Sequence, residues 1–286
     1  MGGNVSHETY LSKNKDENDG VCYGAKFEST HFAEGGLRYA FKGKITGNGP
    51  RVNQDCVTKV FKSGRDMQTV YLIPDWKTSK MAEKFAIKFN NDCLPLLRNH
   101  CNGKQIKFII PLIAKMKEIS HFDVFWMYSI LYDKSYLTQE SYVAIEPFLD
   151  GSYKKFNSNG GYEDKEPSIL HTFCHWTFCI SGYNYIICDL QGVEGDENFI
   201  LTDPAIHSVN STYGPTDLGI HGMQLVLGNH KCNRMCRVLN LQNPMRNVYL
   251  TGQRNTKYTF QLKEKEKELN ANKMSKYFKP TTPIFE

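Results

Sequence analysis

A short segment in the last quarter of the chain carries the densest set of metal-ligand side chains in the sequence. It holds His230, Cys232 and Cys236, and two cysteines four residues apart lie on one face of a helix. Structural zinc sites use four nitrogen or sulfur ligands in a tetrahedron, so a fourth ligand must come from another segment. We predict that His175 is this ligand, because a lone imidazole among the apolar residues of 173–178 needs a partner.

Two other interpretations stay open from the spacing alone. Buried core cysteines beside a surface histidine would give the same pattern, since free cysteine behaves as a small apolar residue. A second candidate metal segment, with looser spacing, runs from Cys93 to Cys101.

Two acidic residues follow short apolar stretches in the same half of the chain. Asp189 ends the stretch 185–188 and begins the segment Asp-Leu-Gln-Gly-Val, and Asp203 follows 199–201. Phosphoryl transfer needs one group that orients the hydroxyl nucleophile and oxygen ligands for Mg²⁺. A carboxylate for each task meets that need, although aspartates that form ordinary turns would give the same pattern.

Two segments in the first half have the chemistry to contact phosphate groups. Lys59 lies on an alternating apolar stretch and points inward if that stretch is a strand, whereas most strand lysines face solvent. Gly35 and Gly36 let backbone amides approach an anion, and Arg38 adds a fixed set of donors. An ordinary hairpin turn is the alternative for this glycine pair.

Composition and charge narrow the function classes. Of 286 residues, 40% are hydrophobic and 23% charged, which is typical of a globular protein. The net charge of +5 is too small to indicate nucleic-acid binding. We expect no membrane-spanning helix and no secretory signal, because long apolar runs are absent from the sequence. Nine cysteines without such a signal favour a reducing, cytoplasmic setting and metal binding over disulfides.

The first six residues match one targeting pattern. Gly2 after Met1, with Ser6 downstream, fits N-myristoylation. A single myristoyl chain gives only weak, reversible membrane binding. We therefore expect weak membrane association at most, with a free leader as the alternative.

The predicted elements are mixed strands and helices, which indicates an α+β fold. Short alternating segments between residues 21 and 70 predict strands and hairpins. A polar break at 157–161 predicts a loop between two halves. Helices are predicted over 75–98 and 167–181, and strands over 107–116, 122–131, 141–149, 185–190 and 199–201.

The domain organisation follows from these elements. We predict a disordered leader over 1–20, one catalytic-type domain over 21–241 and a polar tail over 242–286. The domain divides into an N-lobe of about 21–145 and a C-lobe of about 146–241. A ligand cleft is expected where the lobes join.

Eight segments, taken in order, resemble the alpha-kinase family, which includes myosin heavy chain kinases and elongation-factor kinase. They extend over most of residues 22–241. The segments are FAEGGLR (32–38), CVTKVF (56–61), IEPFLDGSYKKFNSNGG (145–161), FCHWTF (173–178), CDLQGV (188–193), LTDPAIHS (201–208), GPTDLGIHG (214–222) and NHKCNRMC (229–236). The resemblance implies a two-lobed atypical Ser/Thr protein kinase that uses ATP and Mg²⁺, acts on a protein substrate and holds a structural zinc in its C-terminal lobe.

The resemblance also implies roles for individual residues. Asp189 matches the catalytic aspartate that orients the substrate hydroxyl, and Lys59 matches the lysine on the ATP phosphates. Gln191 and Asp203 match ligands of Mg²⁺, and Gln191 is also grouped with the catalytic residues. The nucleotide contacts implied are Arg38, Gly35 and Gly36 for phosphate and Glu146 and Phe148 for adenine. The resemblance further implies a substrate loop with Gly219 and Gly222 and a zinc site formed by His175, His230, Cys232 and Cys236.

Two departures from the family pattern motivate an alternative function. The stretch between Asp189 and Asp203 is longer than usual and carries an acidic insert, residues 194–198. Asp217 stands where the family often has Asn. Extra negative charge near phosphates weakens nucleotide binding, so the alternative is a catalytically weak, zinc-stabilised nucleotide-binding interaction module. A nucleic-acid-binding zinc protein is the third and least supported reading.

Overall fold

Thirteen strands and four α-helices make up the part of the chain that the computed structural model describes, namely residues 6–62, 65–119, 137–165 and 168–243. The strands are β1 (Ser6–Thr9), β2 (Tyr23–Glu28), β3 (Ala33–Glu34), β4 (Arg38–Gly47), β5 (Asp55–Phe61), β6 (Gln105–Phe108), β7 (Leu112–Glu118), β8 (Tyr142–Pro147), β9 (Tyr153–Lys155), β10 (Tyr185–Cys188), β11 (Gln191–Glu194), β12 (Asn198–Thr202) and β13 (Ala205–Ser208). The helices are α1 (Arg65–Asp92), α2 (Ser168–Ile180), α3 (Gly219–Asn229) and α4 (Arg234–Val238), with a 3₁₀ turn at Leu94–Leu97.

The described residues form two units, each built from separate parts of the chain. The first unit lies within 1–79 and 109–150, and the second lies within 80–108 and 151–286. Helix α1 therefore contributes its first part to one unit and its last part to the other. The mixture of helices and strands agrees with the predicted α+β class.

A seven-stranded sheet dominates the first unit. Its order is β2-β1-β7-β8-β5-β4-β3, and an additional β2–β4 pairing closes six of these strands into a ring. Alternate residues of β5 are buried, as the period of a strand requires. Gly43 allows the closure, because a Cβ there would lie 2.7 Å from the Cβ of Phe27 on β2. The ring encloses an apolar core that includes Tyr23, Phe41, Ile45, Val60, Met116, Val143 and Ile145.

The second unit contains a four-stranded sheet, a two-stranded pair and most of the helices. The sheet has the order β6-β12-β11-β9, and β10 pairs with β13. Helix α2 is buried at ten consecutive positions, 169–178, which explains its almost continuous apolar sequence. Its Trp176 ring meets Phe89 of α1 edge-on, with centroids 5.3 Å apart. These aromatic contacts form the centre of the larger core.

The structure corrects several sequence predictions. The predicted disordered leader is wrong over residues 6–20, because β1 pairs with both β2 and β7. The predicted N-lobe wrongly includes 80–108, which belong to the second unit. The predicted strand 107–116 is two strands, β6 and β7, in different sheets. The predicted helix 75–98 is α1, which begins ten residues earlier, at Arg65, and ends at Asp92.

Some predictions concern residues outside the described part of the chain. These are the strand over 122–131, residues 1–5 of the myristoylation pattern and the tail beyond residue 243. Among the residues that the structure does describe, none of the helices is long and apolar enough to cross a membrane.

Candidate active site and metal cluster

Three of the predicted site residues converge at one end of the β11–β12 hairpin. Gln191 begins β11 and is paired in register with Thr202, the last residue of β12. Asp203 follows Thr202 directly, and Asp189 precedes Gln191 by two residues. Both aspartates have left-handed backbone conformations, with φ of 48° and 58° respectively. Such φ values in residues other than glycine concentrate at functional sites. We call Asp189, Gln191, Asp203 and the adjoining Lys155 the carboxylate edge.

Lys155 is a member of this edge that sequence reasoning missed. Its Nζ lies 2.6 Å from Oδ1 of Asp189, and strand pairing places it opposite Gln191. Burial raises the pKa of Asp189, Lys155 opposes that shift, and the nearby Asp203 charge adds to it. Lys155 is 46% exposed and Asp189 only 16%. The lysine therefore approaches the buried carboxylate from the solvent side.

The polar loop after β9 fixes the backbone next to Asp189. Oδ1 of Asn157 accepts a hydrogen bond from the amide of Leu190 at 2.7 Å. The Asn159 backbone lies near the Asp189 carboxylate and opposes the rise in its pKa. The residues 157–161 were predicted only as a loop between two halves, with no role at the site. A run of Asn, Ser and Gly predicts a loop but gives no information on what its polar groups hold.

Lys59 and Glu146 form an ion pair inside the first unit. Lys59 lies on β5 and Glu146 on the neighbouring β8, and the Lys59 Nζ is 2.7 Å from Oε2 of Glu146. The side chains are 11% and 3% exposed. The lysine lies on the face of β5 opposite the buried Cys56, Thr58 and Val60, and its side chain is nevertheless largely shielded from solvent. The Glu146 carboxylate is directed to Lys59, so a contact between Glu146 and adenine would use its backbone.

The other predicted nucleotide contacts lie on or directly next to strands of the same sheet. The amide of Gly35 donates to the Arg38 carbonyl at 2.8 Å, which closes the turn between β3 and β4 around Gly36. Arg38 forms an ion pair with Asp75 of α1 and lies over the Phe61 ring. Phe148, just after β8, lies 6.2 Å from the ring of Phe32.

The four predicted zinc ligands come together in the second unit. One ligand atom from each of His175, His230, Cys232 and Cys236 lies within 4.8 Å of the others. We call these residues the His/Cys cluster. His175 comes from α2, His230 directly follows α3 as its C-cap, and Cys236 lies on α4. Cys232 precedes α4, so the prediction that both cysteines share one helix face is wrong.

The spacing of the donor atoms fits a tetrahedral ion. The Cys236 Sγ is 3.4 Å from Nε2 of His230, and the Cys232 Sγ is 3.8 Å from Nδ1 of His175. Zinc–sulfur and zinc–nitrogen bonds of about 2.3 and 2.0 Å place tetrahedral ligands roughly 3.5 Å apart. Burial alone would raise the pKa of Cys236, but the two imidazoles outweigh it and bring the value to about 6. The donor set therefore suits zinc.

Groups outside the cluster hold its histidines in place. The His230 Nδ1 is 2.8 Å from Oε1 of Glu163, and the same carboxylate oxygen is 3.1 Å from the buried His171. His175 meets the carbonyl of Gln242 at 3.0 Å through Nε2. Metal-binding histidines usually use their second nitrogen in this way. Within the described part of the chain, the rival segment containing Cys93 and Cys101 does not form a cluster of this kind.

The two glycines of the predicted substrate loop lie at the start of helix α3 and not in an exposed loop. Gly219 starts α3 with a left-handed φ of 63°, and Gly222 lies in the first turn of the helix; both are buried and lie outside the exposed loop that precedes it. A Cβ at Gly222 would lie 2.4 Å from the His207 ring. Asp217 accepts hydrogen bonds from Ser208, Tyr213 and Gly219 and thereby closes the loop before the helix. The glycines allow close packing, and the exposed part of the segment lies between residues 210 and 215.

The acidic insert lies at the opposite end of the β11–β12 hairpin from Asp189. Glu194 ends β11, pairs in register with Phe199 and forms an ion pair with Lys104 at 2.8 Å. Gln191 and Glu194 are three residues apart along the strand, which corresponds to about 10 Å. The extra charges therefore lie away from the carboxylate edge.

Comparison with known proteins identifies related sequences. A family model described as the alpha-kinase family matches residues 33–236. The alpha-protein kinase vwkA of Dictyostelium discoideum is 32% identical over 229 residues, which is 78% of this chain and 32% of that protein. The human eukaryotic elongation factor 2 kinase is 40% identical over 100 residues, 34% of this chain and 13% of that protein. The chain thus spans a third or less of the length of these relatives.

Solved structures share the fold. The alpha-kinase domain of myosin heavy chain kinase A, in complex with AMP, has a TM-score of 0.64 at 23% identity and covers 84% of this chain and 100% of that one. An alpha kinase from Entamoeba histolytica has a TM-score of 0.62 at 23% identity, over 91% and 98% of the two chains. At this identity the structural match establishes the fold.

Proposed function

This chain belongs to the alpha-kinase family, and from that premise we propose that it transfers the terminal phosphoryl group of ATP to Ser or Thr hydroxyls of a protein substrate. The observation that carries the proposal is the carboxylate edge. Asp189, Gln191 and Asp203 meet at one end of a hairpin, with two aspartates in left-handed conformations. Oxygen ligands beside a buried carboxylate are what Mg²⁺-dependent phosphoryl transfer requires.

Asp189 is the proposed catalytic residue. Its carboxylate would accept a hydrogen bond from the substrate hydroxyl and take up the proton as the oxygen attacks phosphorus. Lys155, 2.6 Å away, supports the ionised form of Asp189 that this role needs. Positioning of this kind, with electrostatic stabilisation, accounts for most of the catalysis in phosphoryl transfer.

Gln191 and Asp203 are the proposed ligands for Mg²⁺. The amide oxygen of Gln191 and the carboxylate of Asp203 are hard oxygen donors, and Mg²⁺ is usually held by one or two such groups together with phosphate and water. The influence of Asp203 on the pKa of Asp189 supports their proximity. When bound, the ion would neutralise phosphate charge.

The first unit supplies the proposed contacts to the nucleotide. Lys59 would bind phosphate oxygens, and its ion pair with Glu146 holds the ammonium group in a fixed place. Arg38 and the amides at Gly35 and Gly36 are proposed phosphate-loop contacts. Phe148 and the backbone of Glu146 are proposed to meet adenine. The phosphate and adenine roles rest on the family motifs that these residues match.

The His/Cys cluster is proposed to hold a structural zinc ion through His175, His230, Cys232 and Cys236. Four protein donors are the full ligand number of a structural zinc site, so no position would remain for a reacting water. The cluster joins α2, α3 and the segment around α4, so bound zinc would contribute directly to folding. Its proposed role is confined to stability.

The predicted myristoylation of Gly2, with weak membrane association, remains a proposal based on sequence. Mass spectrometry of the protein purified from cells would detect the added chain. Co-sedimentation with vesicles before and after Gly2→Ala would measure its effect on membrane binding.

A phosphate-transfer assay tests the proposed function. The wild-type protein is incubated with radiolabelled ATP, Mg²⁺ and a generic basic protein, and nucleotide binding is titrated in parallel. We expect labelled phosphoserine or phosphothreonine in the product. Nucleotide binding without transfer would overturn the proposal and favour the catalytically weak interaction module.

A further inference from the structure

One buried histidine outside the predicted site connects the region of Asp189 with the start of α3. His207 lies on β13, and its side chain is completely buried. Its two ring nitrogens contact backbone groups from two different segments. His207 lies within the segment LTDPAIHS, and its residue type and position in that segment predict no role for it.

Each nitrogen of His207 makes one hydrogen bond, and the two bonds require a single protonation state. Nδ1 accepts from the amide of Leu218 at 3.0 Å, and Nε2 donates to the carbonyl of Asn159 at 2.9 Å. A neutral imidazole with its proton on Nε2 satisfies both partners. Burial lowers the pKa of His207, which favours this neutral form.

The Asn159 contact leads directly to the proposed catalytic residue. The carbonyl of Asn159 is held by His207, and the Asn159 backbone lies near the Asp189 carboxylate, where it opposes the rise in the pKa of that group. Asn157, two residues earlier, fixes the amide of Leu190 on the other side of Asp189. The position of this loop therefore sets the position of the Asp189 carboxylate.

The Leu218 contact anchors His207 to a firmly held segment. Leu218 follows Asp217, whose buried carboxylate accepts hydrogen bonds from the amides of Ser208 and Gly219, both at 2.9 Å. Gly222 then packs against the imidazole so closely that any Cβ would overlap it. The ring has a hydrogen bond on each side and a helix against it.

We propose that His207 is a positioning residue that holds the Asn159 loop, and through it Asp189, in place for phosphoryl transfer. This inference rests on the proposed kinase function and deepens it. His207 itself touches no reacting atom. Because small misplacements of a reacting group lower rates strongly, the loss of the Asn159 contact reduces turnover more than nucleotide binding.

Two substitutions at this position separate the two contacts. In His207→Gln, the amide nitrogen reaches the place of Nε2 and can still donate to Asn159. In His207→Asn, the amide oxygen takes the place of Nδ1 and can still accept from Leu218, but the Asn159 contact is lost. The exposed neighbour on α3 provides a matched control, His221→Asn.

The test measures kcat, the KM for ATP and the melting temperature of the zinc-loaded proteins. We expect kcat to fall about tenfold in His207→Asn, with the KM for ATP within about twofold of wild type. His207→Gln and His221→Asn should retain most of the wild-type kcat. Gly222→Ala, which displaces the ring while keeping both of its nitrogens, should also lower kcat.

Other outcomes would overturn the inference. If His207→Asn and His207→Gln lose kcat equally, and these losses parallel the decreases in their melting temperatures, His207 has a structural role only. An unchanged kcat in His207→Asn would also contradict the positioning role of His207. The same holds if His207→Asn and Gly222→Ala are both insoluble while His207→Gln is soluble. A wild-type protein that transfers no phosphate under the same conditions would instead refute the proposed function.

Discussion

The His/Cys cluster and the carboxylate edge are both groups of polar side chains in the second unit. Only the cluster is closed, in the sense that its donor atoms are directed at one another and not at solvent. In the cluster, the four donors face one another and the outer histidine nitrogens meet Glu163 and Gln242. At the carboxylate edge, Lys155 is nearly half exposed, and Asp189 and Asp203 have left-handed backbones. A closed set of donors stabilises a fold, whereas an open set is left available for substrate.

This difference predicts that substitutions in the two regions affect different properties. Changes in the cluster should alter stability and metal content, and changes at the edge should alter turnover at nearly constant stability. Because both regions belong to one unit, a general disturbance of that unit would affect both properties together. The comparison is therefore open to direct experimental test.

The largest effect on activity is expected from Asp189→Ala. Removal of the group that orients and deprotonates the hydroxyl should lower kcat by on the order of 10³-fold. The melting temperature should change little, because burial disfavours the charged carboxylate in the folded state. Radiolabel transfer and thermal unfolding are measured on the same preparation, with Asp196→Ala on the exposed hairpin turn as control. Retained activity in Asp189→Ala would remove the proposed mechanism.

Cys236→Ala is expected to have the largest effect on stability. Loss of one thiolate leaves three ligands, and the folding free energy that zinc contributes is lost with the ion. The variant should be insoluble or free of zinc, while Cys22→Ala, at a cysteine outside the cluster, should resemble wild type. Metal analysis should give one zinc per wild-type chain. Less than about half an equivalent in active protein would contradict the four-ligand assignment.

Lys155→Met should produce an intermediate effect on turnover. The substitution removes the cation beside Asp189 and should lower kcat by about tenfold, without a matching loss of stability, since partly exposed ion pairs contribute about 1 kcal/mol or less. The neighbouring Lys154→Met on the same strand is the control. If both variants lost activity equally, the specific pairing of Lys155 with Asp189 would have no catalytic importance.

The smallest effect on activity is expected from Glu163→Gln. The change leaves all four zinc ligands in place but weakens the partner of the His230 Nδ1, so zinc affinity should fall by about tenfold. Competition with a chelator measures this affinity directly, and kcat of the zinc-loaded protein should stay close to wild type. A large fall in kcat at full zinc content would show that the cluster influences chemistry as well as stability.

The sequence allowed prediction of residues with a distinctive type and spacing. The four members of the His/Cys cluster were all predicted, including His175 from a distant segment, because metal-ligand patterns depend on side-chain chemistry. Lys155, Asn159 and His207 were missed, because their importance comes from strand register and from backbone partners far away in the chain. A lysine on a short strand gives no sign of which residue lies opposite it.

The element boundaries were predicted less well for a related reason. Helix α1 begins at Arg65, well before the apolar spacing that suggested its start. Segment β1 has a polar composition, and its strand conformation follows from pairing with β2 and β7. Tertiary contacts of this kind override local propensity, so a single sequence gives little warning of them.

The ring of six strands includes β1 and β2, and this has a practical consequence for shortened forms of the protein. The family match begins at residue 33, whereas β1 and β2 lie before that position. A fragment trimmed to the matched region would lose two adjoining strands and leave the ladders of β4 and β7 without partners along part of their length. Exposed ladders of this kind recruit other chains. Such a fragment is expected to self-associate, while a fragment that starts before Ser6 is expected to stay dispersed.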